Sequence, residues 1–330
     1  MRASGPTPHT VRVTTTSAPN EAAPARRGDL ALVVAALCFG STFVVVQDAV
    51  GRVEPVPFLA VRFLLGALVL WPLARRRPSS PGEVRDGSLA GGELLVGYLL
   101  QTVGLQYTGS ATSAFITYLL VVLVPVLGLL VRRRPHPVTL VGIAVAVVGL
   151  VLLTDPGGGG DASGFGRGEV LTLGCAVAFA AHVVILGQTA HRHDPFRLAT
   201  IQVAVVGGAC LIPGLWLGGY GFPAPAVAAV VATAVVATAL AFVLQVSGQR
   251  TVPPARAALL LLLEPVSAGL LAAVGGDPLR PVQLAGAAII LIAVLLSEVA
   301  PAWLDHRVRT REAARDNDRS PDETGGSRVG

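Results

Sequence analysis

The sequence predicts an all-α integral membrane protein with ten transmembrane helices in two inverted five-helix repeats. Three observations carry that expectation. The chain is 52% hydrophobic and 14% charged, with a mean hydropathy of +0.66, which is the composition of a bilayer-embedded chain. It contains ten apolar runs of a length that crosses a hydrocarbon core about 30 Å thick. Its two halves align with each other at offsets alternating between 140 and 144 residues.

Residues 1–29 mix Thr, Pro, Ala and Arg with few apolar side chains, so they read as a disordered cytoplasmic tail. Their Arg-rich, acid-poor character imitates an import peptide. The apolar run that follows is too long for a signal core and ends in no Ala-x-Ala-like site, so 30–47 is expected to remain as the first helix. Runs at 57–74, 90–106, 111–131 and 138–153 complete a first repeat, 30–153. The stretch 154–168, TDPGGGGDASGFGRG, lacks the Gly-Lys-Ser/Thr ending of a phosphate loop and reads as a flexible extracytoplasmic linker. Runs at 169–189, 198–217, 226–247, 255–274 and 282–299 form a second repeat, 169–299, and 300–330 mixes both charge signs as a disordered cytoplasmic tail.

Arginine placement sets the orientation. All 25 basic residues are arginine; with the N-terminus inside, 21 fall on the cytoplasmic side and three, Arg52, Arg167 and Arg280, outside, while Arg62 lies within a helix. Both termini are therefore expected in the cytoplasm. The absence of lysine and the abundance of Ala, Gly, Val and Pro suit a GC-rich bacterial genome, and hence a multi-pass protein of the bacterial plasma membrane. A net charge of +5 is explained by these loops and tails, so no nucleic-acid partner is expected. Cys38, Cys175 and Cys210 are too scattered for a zinc set or a disulfide framework, and neither metal nor cofactor is expected.

The repeat shows in paired residues. Phe39 matches Phe179, Pro55 matches Pro195, Pro125 matches Pro265, and Leu100-Gln101 matches Leu244-Gln245. The four-residue alternation is about one helical turn. An odd number of helices per repeat inverts the second copy, which is the architecture of secondary transporters that bind solute near the midplane.

Four stretches resemble the drug/metabolite transporter superfamily in its EamA-like branch: LCFGSTFVVVQDAV, PFLAVRFLLGALVLWPL, LQYTGSATSAFITYLLVVLVPVLGLL and QRTVPPARAALLLLLEPVSAGLL. The resemblance covers roughly 30–299 and implies a ten-helix permease moving small metabolites, amino acids or drugs, commonly outward, without nucleotide hydrolysis. The chain departs from that pattern at Phe39, where the family often has tryptophan, and at Thr42, where it often has asparagine.

The chemistry is concentrated in side chains that the repeat does not duplicate. Glu264, set before Pro265 in an apolar run, aligns with Val124; Arg62 aligns with Gln202, and His182 with Thr42. An intramembrane charge costs about 2.5–3.5 kcal/mol on insertion scales, so each needs a partner, a wet cavity or a use. Glu264 reads as a proton-coupling carboxylate or as a hydrogen-bonded strut at the proline break. Arg62 reads as an anion-binding group or as a side chain snorkelling outward. His182 reads as a proton relay or as an interhelical hydrogen bond. Gln101 and Gln245 occupy equivalent positions as substrate amides or as glue between helices. Thr117 and Tyr118 are candidate pocket walls, and Pro125 and Pro265 candidate helix breaks. The expected partners are the lipid bilayer and a small-molecule substrate. Gly214 and Gly218 form a small-xxx-small pair suited to a homodimer or equally to packing within one chain. The competing class is a membrane-embedded enzyme acting on a lipid or lipid-linked substrate. It calls for clustered acids or histidines at one interface, and the sequence has no His-Glu-x-x-His or Ser/His/Asp cluster of that kind.

Overall fold

Apolar runs without water must satisfy their backbone internally, and here they do so as helices. The computed structural model describes residues 22–104, 106–107, 110–132, 134–135, 137–154, 166–274 and 280–296, and every regular element among them is helical. These are α1 (Ala22–Val50), α2 (Pro55–Ala74), α3 (Glu83–Gly104), α4 (Ser110–Tyr118), α5 (Leu120–Leu130), α6 (Pro137–Thr154), α7 (Arg167–Thr189), α8 (Pro195–Trp216) and α9 (Ala224–Thr233). A π-helical segment, Ala234–Leu240, joins α9 to α10 (Ala241–Gln249); α11 (Pro254–Leu261), α12 (Leu263–Val274) and α13 (Pro281–Leu296) follow. Five helical stretches are long and apolar enough to cross a bilayer: Pro55–Ala74, Arg167–Arg192, Pro195–Trp216, Ala224–Gln249 and Pro254–Leu271. Ile116–Leu130, Pro137–Leu153 and Pro281–Leu296 are shorter apolar helices.

Helix starts follow local chemistry. Pro55 and Pro195 open α2 and α8, where a missing N–H costs nothing. Asp194 caps α8 by accepting from the N–H of Phe196 at 3.0 Å. The stretch expected to be a tail to residue 29 is corrected in part, because α1 already begins at Ala22. Its first turn is alanine-rich and tolerates Pro24, and Asp29 is fixed by an ion pair with Arg256 at 2.8 Å. Residues 1–21, the core of the linker at 155–165 and the tail from 297 onward lie outside the described residues.

The two proline positions behave differently. Pro265 leaves the Leu261 carbonyl without its intrahelical donor, and the helix is interrupted there: α11 ends at Leu261 and α12 starts at Leu263. Pro125, also expected at a break, lies inside α5, and the interruption falls at Leu119 instead, whose N–H bonds the Ile116 carbonyl in a tightened turn.

α2 packs along α8, α3 along α7 and α8, and α1 along α10 and α12, while α4 and α5 lean on α7. Small residues permit these approaches. A Cβ on Gly40 of α1 would lie 1.9 Å from Ser267 Oγ and 2.4 Å from the Glu264 carbonyl oxygen on α12, so those helices meet backbone to backbone. The expected small-xxx-small pair is committed within the chain. Gly214 faces Tyr220 and Pro57, and Gly218 lies past the end of α8 with φ of +107°. Leu68, Ile212 and Leu215 are exposed along the helices, with Trp71 and Trp216 at the ends of α2 and α8, where an aromatic belt meets the headgroups.

Candidate functional site

Where α1, α2, α3, α4, α7, α10, α11 and α12 converge they leave a cavity of about 190 Å³. The structure brings Glu264, Arg62, His182, Gln101, Gln245, Thr42, Thr117 and Tyr118 to its walls. Pro265 follows the lining residue Glu264 in α12, and Pro125 lies outside the lining.

Arg62 is 4% exposed, which rules out a side chain reaching to the membrane surface. Its Nε donates to Thr238 Oγ1 at 3.0 Å. Thr238 belongs to the π-helical segment and is fully buried against Gly66, where a Cβ would sit 2.6 Å from the threonine methyl. The guanidinium carbon lies 5.4 Å from the Phe63 ring centroid and 5.8 Å from that of Tyr98. Tyr118 and Glu264 line the same cavity as Arg62. The cavity therefore brings an acidic and a basic side chain, from distant parts of the sequence, to one chamber.

His182 Nε2 shares a 2.8 Å hydrogen bond with Gln202 Oε1, the residue aligned with Arg62. Gln101 Nε2 donates to Thr117 Oγ1 at 3.4 Å. Gln245 Nε2 donates to Gln249 Oε1 at 3.4 Å, and Gln249 Nε2 in turn bonds the Val183 carbonyl at 2.7 Å, tying α10 to α7. Thr42 returns its hydroxyl to the Phe39 carbonyl at 3.0 Å.

The sequence reading missed the aromatic wall. Phe39 meets Phe242 edge to face with centroids 5.3 Å apart and planes at 71°; Tyr98 meets Phe179 at 5.3 Å and 72°. Phe39 and Phe179 are 140 residues apart and Tyr98 and Phe242 are 144 apart, the two offsets of the sequence alignment. That relation was the available signal. Phe63 bridges the two pairs, 5.0 Å from Tyr98 and 6.1 Å from Phe242.

A mostly apolar chamber with a few convergent polar groups, set among membrane-crossing helices, defines a membrane transporter that binds a small solute. The EamA-like transporter family profile matches residues 26–155 and again 166–298, and the chain belongs to that family. Two proteins of Archaeoglobus fulgidus described as uncharacterized transporters are similar to it. One is 33% identical over 271 residues, covering 81% of this chain and 84% of its own; the other is 28% identical over 284 residues, covering 82% and 96%. A third, an uncharacterized transporter of Bacillus subtilis, is 25% identical over 201 residues, 58% of this chain and 64% of its own. A solved crystal structure shares the fold with a TM-score of 0.73 at 20% identity, covering 84% of this chain and 98% of that one.

Proposed function

We propose that the chain is a ten-helix secondary transporter of the bacterial plasma membrane, with both termini cytoplasmic, that exports small metabolites, amino acids or drugs by alternating access. The observation that carries this reading is the single chamber in which unduplicated charges, Arg62 and Glu264, stand among duplicated aromatic pairs. Two inverted five-helix repeats, 30–153 and 169–299, are supported by the helix pairings. α3 against α7 is the counterpart of α1 against α10, and α2 against α8 is its own counterpart, as a two-fold axis between repeats requires.

The chamber extends toward Val46, Pro55, Thr102 and Ser113, at helix ends that the arginine distribution assigns to the outside. On the other side Val121, Leu259 and Leu262 are buried and close it. This is the outward-facing arrangement. Glu264 serves as the proton-carrying group, and Arg62 on the same cavity wall receives a substrate anion. His182, Gln101, Gln245, Thr42 and Thr117 orient the solute through hydrogen bonds.

The experiment is survival of bacteria expressing the chain across a panel of toxic amino acids, metabolites and drugs, with an equally expressed Glu264→Gln variant beside it. Tolerance raised by the wild type and lost in the variant is expected and names the substrate class. Tolerance kept by the variant removes Glu264 from the mechanism, and tolerance raised by neither removes export.

A further inference from the structure

On the arginine-rich side of the protein lies a second cavity of about 440 Å³, built on the same helices as the first. Leu120 of α5 lines the central chamber and Val124, one turn on, lines the second cavity; Ala258 and then Ala255 do the same on α11. On α7, Val183 gives way to Val184 and Gln188. Val121 and Leu259, in the intervening turns, are fully buried. The back wall is fixed, because Gly187 of α7 presses on Pro254, whose Cγ would lie 2.3 Å from a Cβ there.

Two exposed arginines, Arg132 and Arg134, stand at the rim, and among the described residues no acidic side chain lines the cavity. Among the described residues neither has a carboxylate within ion-pair distance. Arg132 is also the non-glycine residue there with positive φ, at 59°, in the left-handed position after α5 that glycine usually takes. An exposed arginine thus occupies a backbone conformation that a Cβ disfavours.

We propose that this cavity is an anion-binding antechamber that takes small organic carboxylates from the cytoplasm before they pass to the central chamber, the passage resting on the transport reading above. Paired guanidinium groups match a carboxylate, and the Gln188 amide adds a donor. The apolar walls accept the organic body, and a cleft lined by one sign of charge concentrates the opposite ion.

The test uses the full chain in phosphatidylcholine nanodiscs, with 4-fluorobenzoate as probe and fluorine NMR as readout. Wild type is expected to bind the probe, with Kd rising about threefold to fivefold for each arginine removed in Arg132→Gly and Arg134→Gln. Raising salt to about 0.3 M should weaken binding further. Arg132→Gly relieves the left-handed strain, so its unfolding temperature should not fall, which separates lost binding from lost folding. Arg62→Gln reports on the central chamber. Binding that survives in the double variant Arg132→Gly/Arg134→Gln and vanishes in Arg62→Gln overturns the proposal. So does displacement of the probe by a few mole per cent of phosphatidylglycerol, which would assign the cavity to a lipid headgroup. The assay needs no gradient, so a chain that binds the probe at the arginines yet moves no solute loses the transport reading and keeps the anion site.

Discussion

Replacing Thr238 by Val leaves the shape of the side chain nearly intact and deletes the oxygen that accepts from Arg62 Nε at 3.0 Å. The methyl that packs on Gly66 is kept, so the change isolates one hydrogen bond. A hydrogen bond to a charged group contributes about 1.5–3 kcal/mol, and a buried guanidinium left short of a partner retains its desolvation cost. Thr238→Val should therefore destabilise the folded protein by about 1.5–3 kcal/mol, a factor of roughly 10 to 150 in the unfolding equilibrium. Thr238→Ser keeps the oxygen and loses a buried methyl, about 1 kcal/mol. With the half-buried Cys38 replaced by Ala in every variant, Cys175 and Cys210, 0% and 1% exposed, let a thiol-reactive dye report unfolding in mild detergent on heating. The expected order of midpoints is wild type, then Ser, then Val. Val equal to or above wild type would refute the reasoning and mean that the guanidinium finds its support elsewhere.

Gly40→Ala should lower the unfolding midpoint by the equivalent of about 1–3 kcal/mol, because its Cβ meets the α12 backbone, whereas Gly208→Ala, with nothing within 4 Å, should leave it unchanged or raised. A neutral Gly40→Ala would mean that α1 and α12 are not held in contact. At the start of α3 Glu83 accepts from Arg197 through both carboxylate oxygens, and that hydrogen-bonded guanidinium holds its carboxyl below the usual carboxylate range. The contribution of a carboxylate so depressed is complete above the unfolded value of about 4.3 and is lost as pH falls through the lower native value. Wild type should exceed Glu83→Gln by about 1–3 kcal/mol at pH 7, and the two midpoints should converge as the carboxyl protonates in acid; equal midpoints at neutral pH would dismiss the pair.

Much of the chamber was legible because intramembrane charge is expensive. Glu264 and Arg62 stood out in apolar runs, and the residues one turn away or at the matching repeat position came with them. The aromatic wall was not, since Tyr98 and Phe242 in apolar helices look like any lipid-facing ring until the offset of 144 pairs them with each other, as 140 pairs Phe39 with Phe179. Ala234–Leu240 carries neither Gly nor Pro, so nothing in it announces a π-helical segment or singles out Thr238. The break at Leu119 is equally silent, because tertiary packing and not a proline sets it. His193 was passed over because its partners sit far away in the sequence, Asp86 in the first turn of α3 and Ser80 just before it. Its Nε2 lies 2.9 Å from Asp86 Oδ2 and its Nδ1 2.6 Å from Ser80 Oγ, contacts separated by more than a hundred residues of chain.

The two edge-to-face pairs agree within a degree while the residues beside them, Arg62 and Gln202 or Thr42 and His182, differ in kind. A frame that holds its shape through rings on both sides does not depend on which polar groups hang inside it. New cargo can then be reached by exchanging a handful of side chains, with the helices staying where they are, much as a lock is rekeyed without replacing the door.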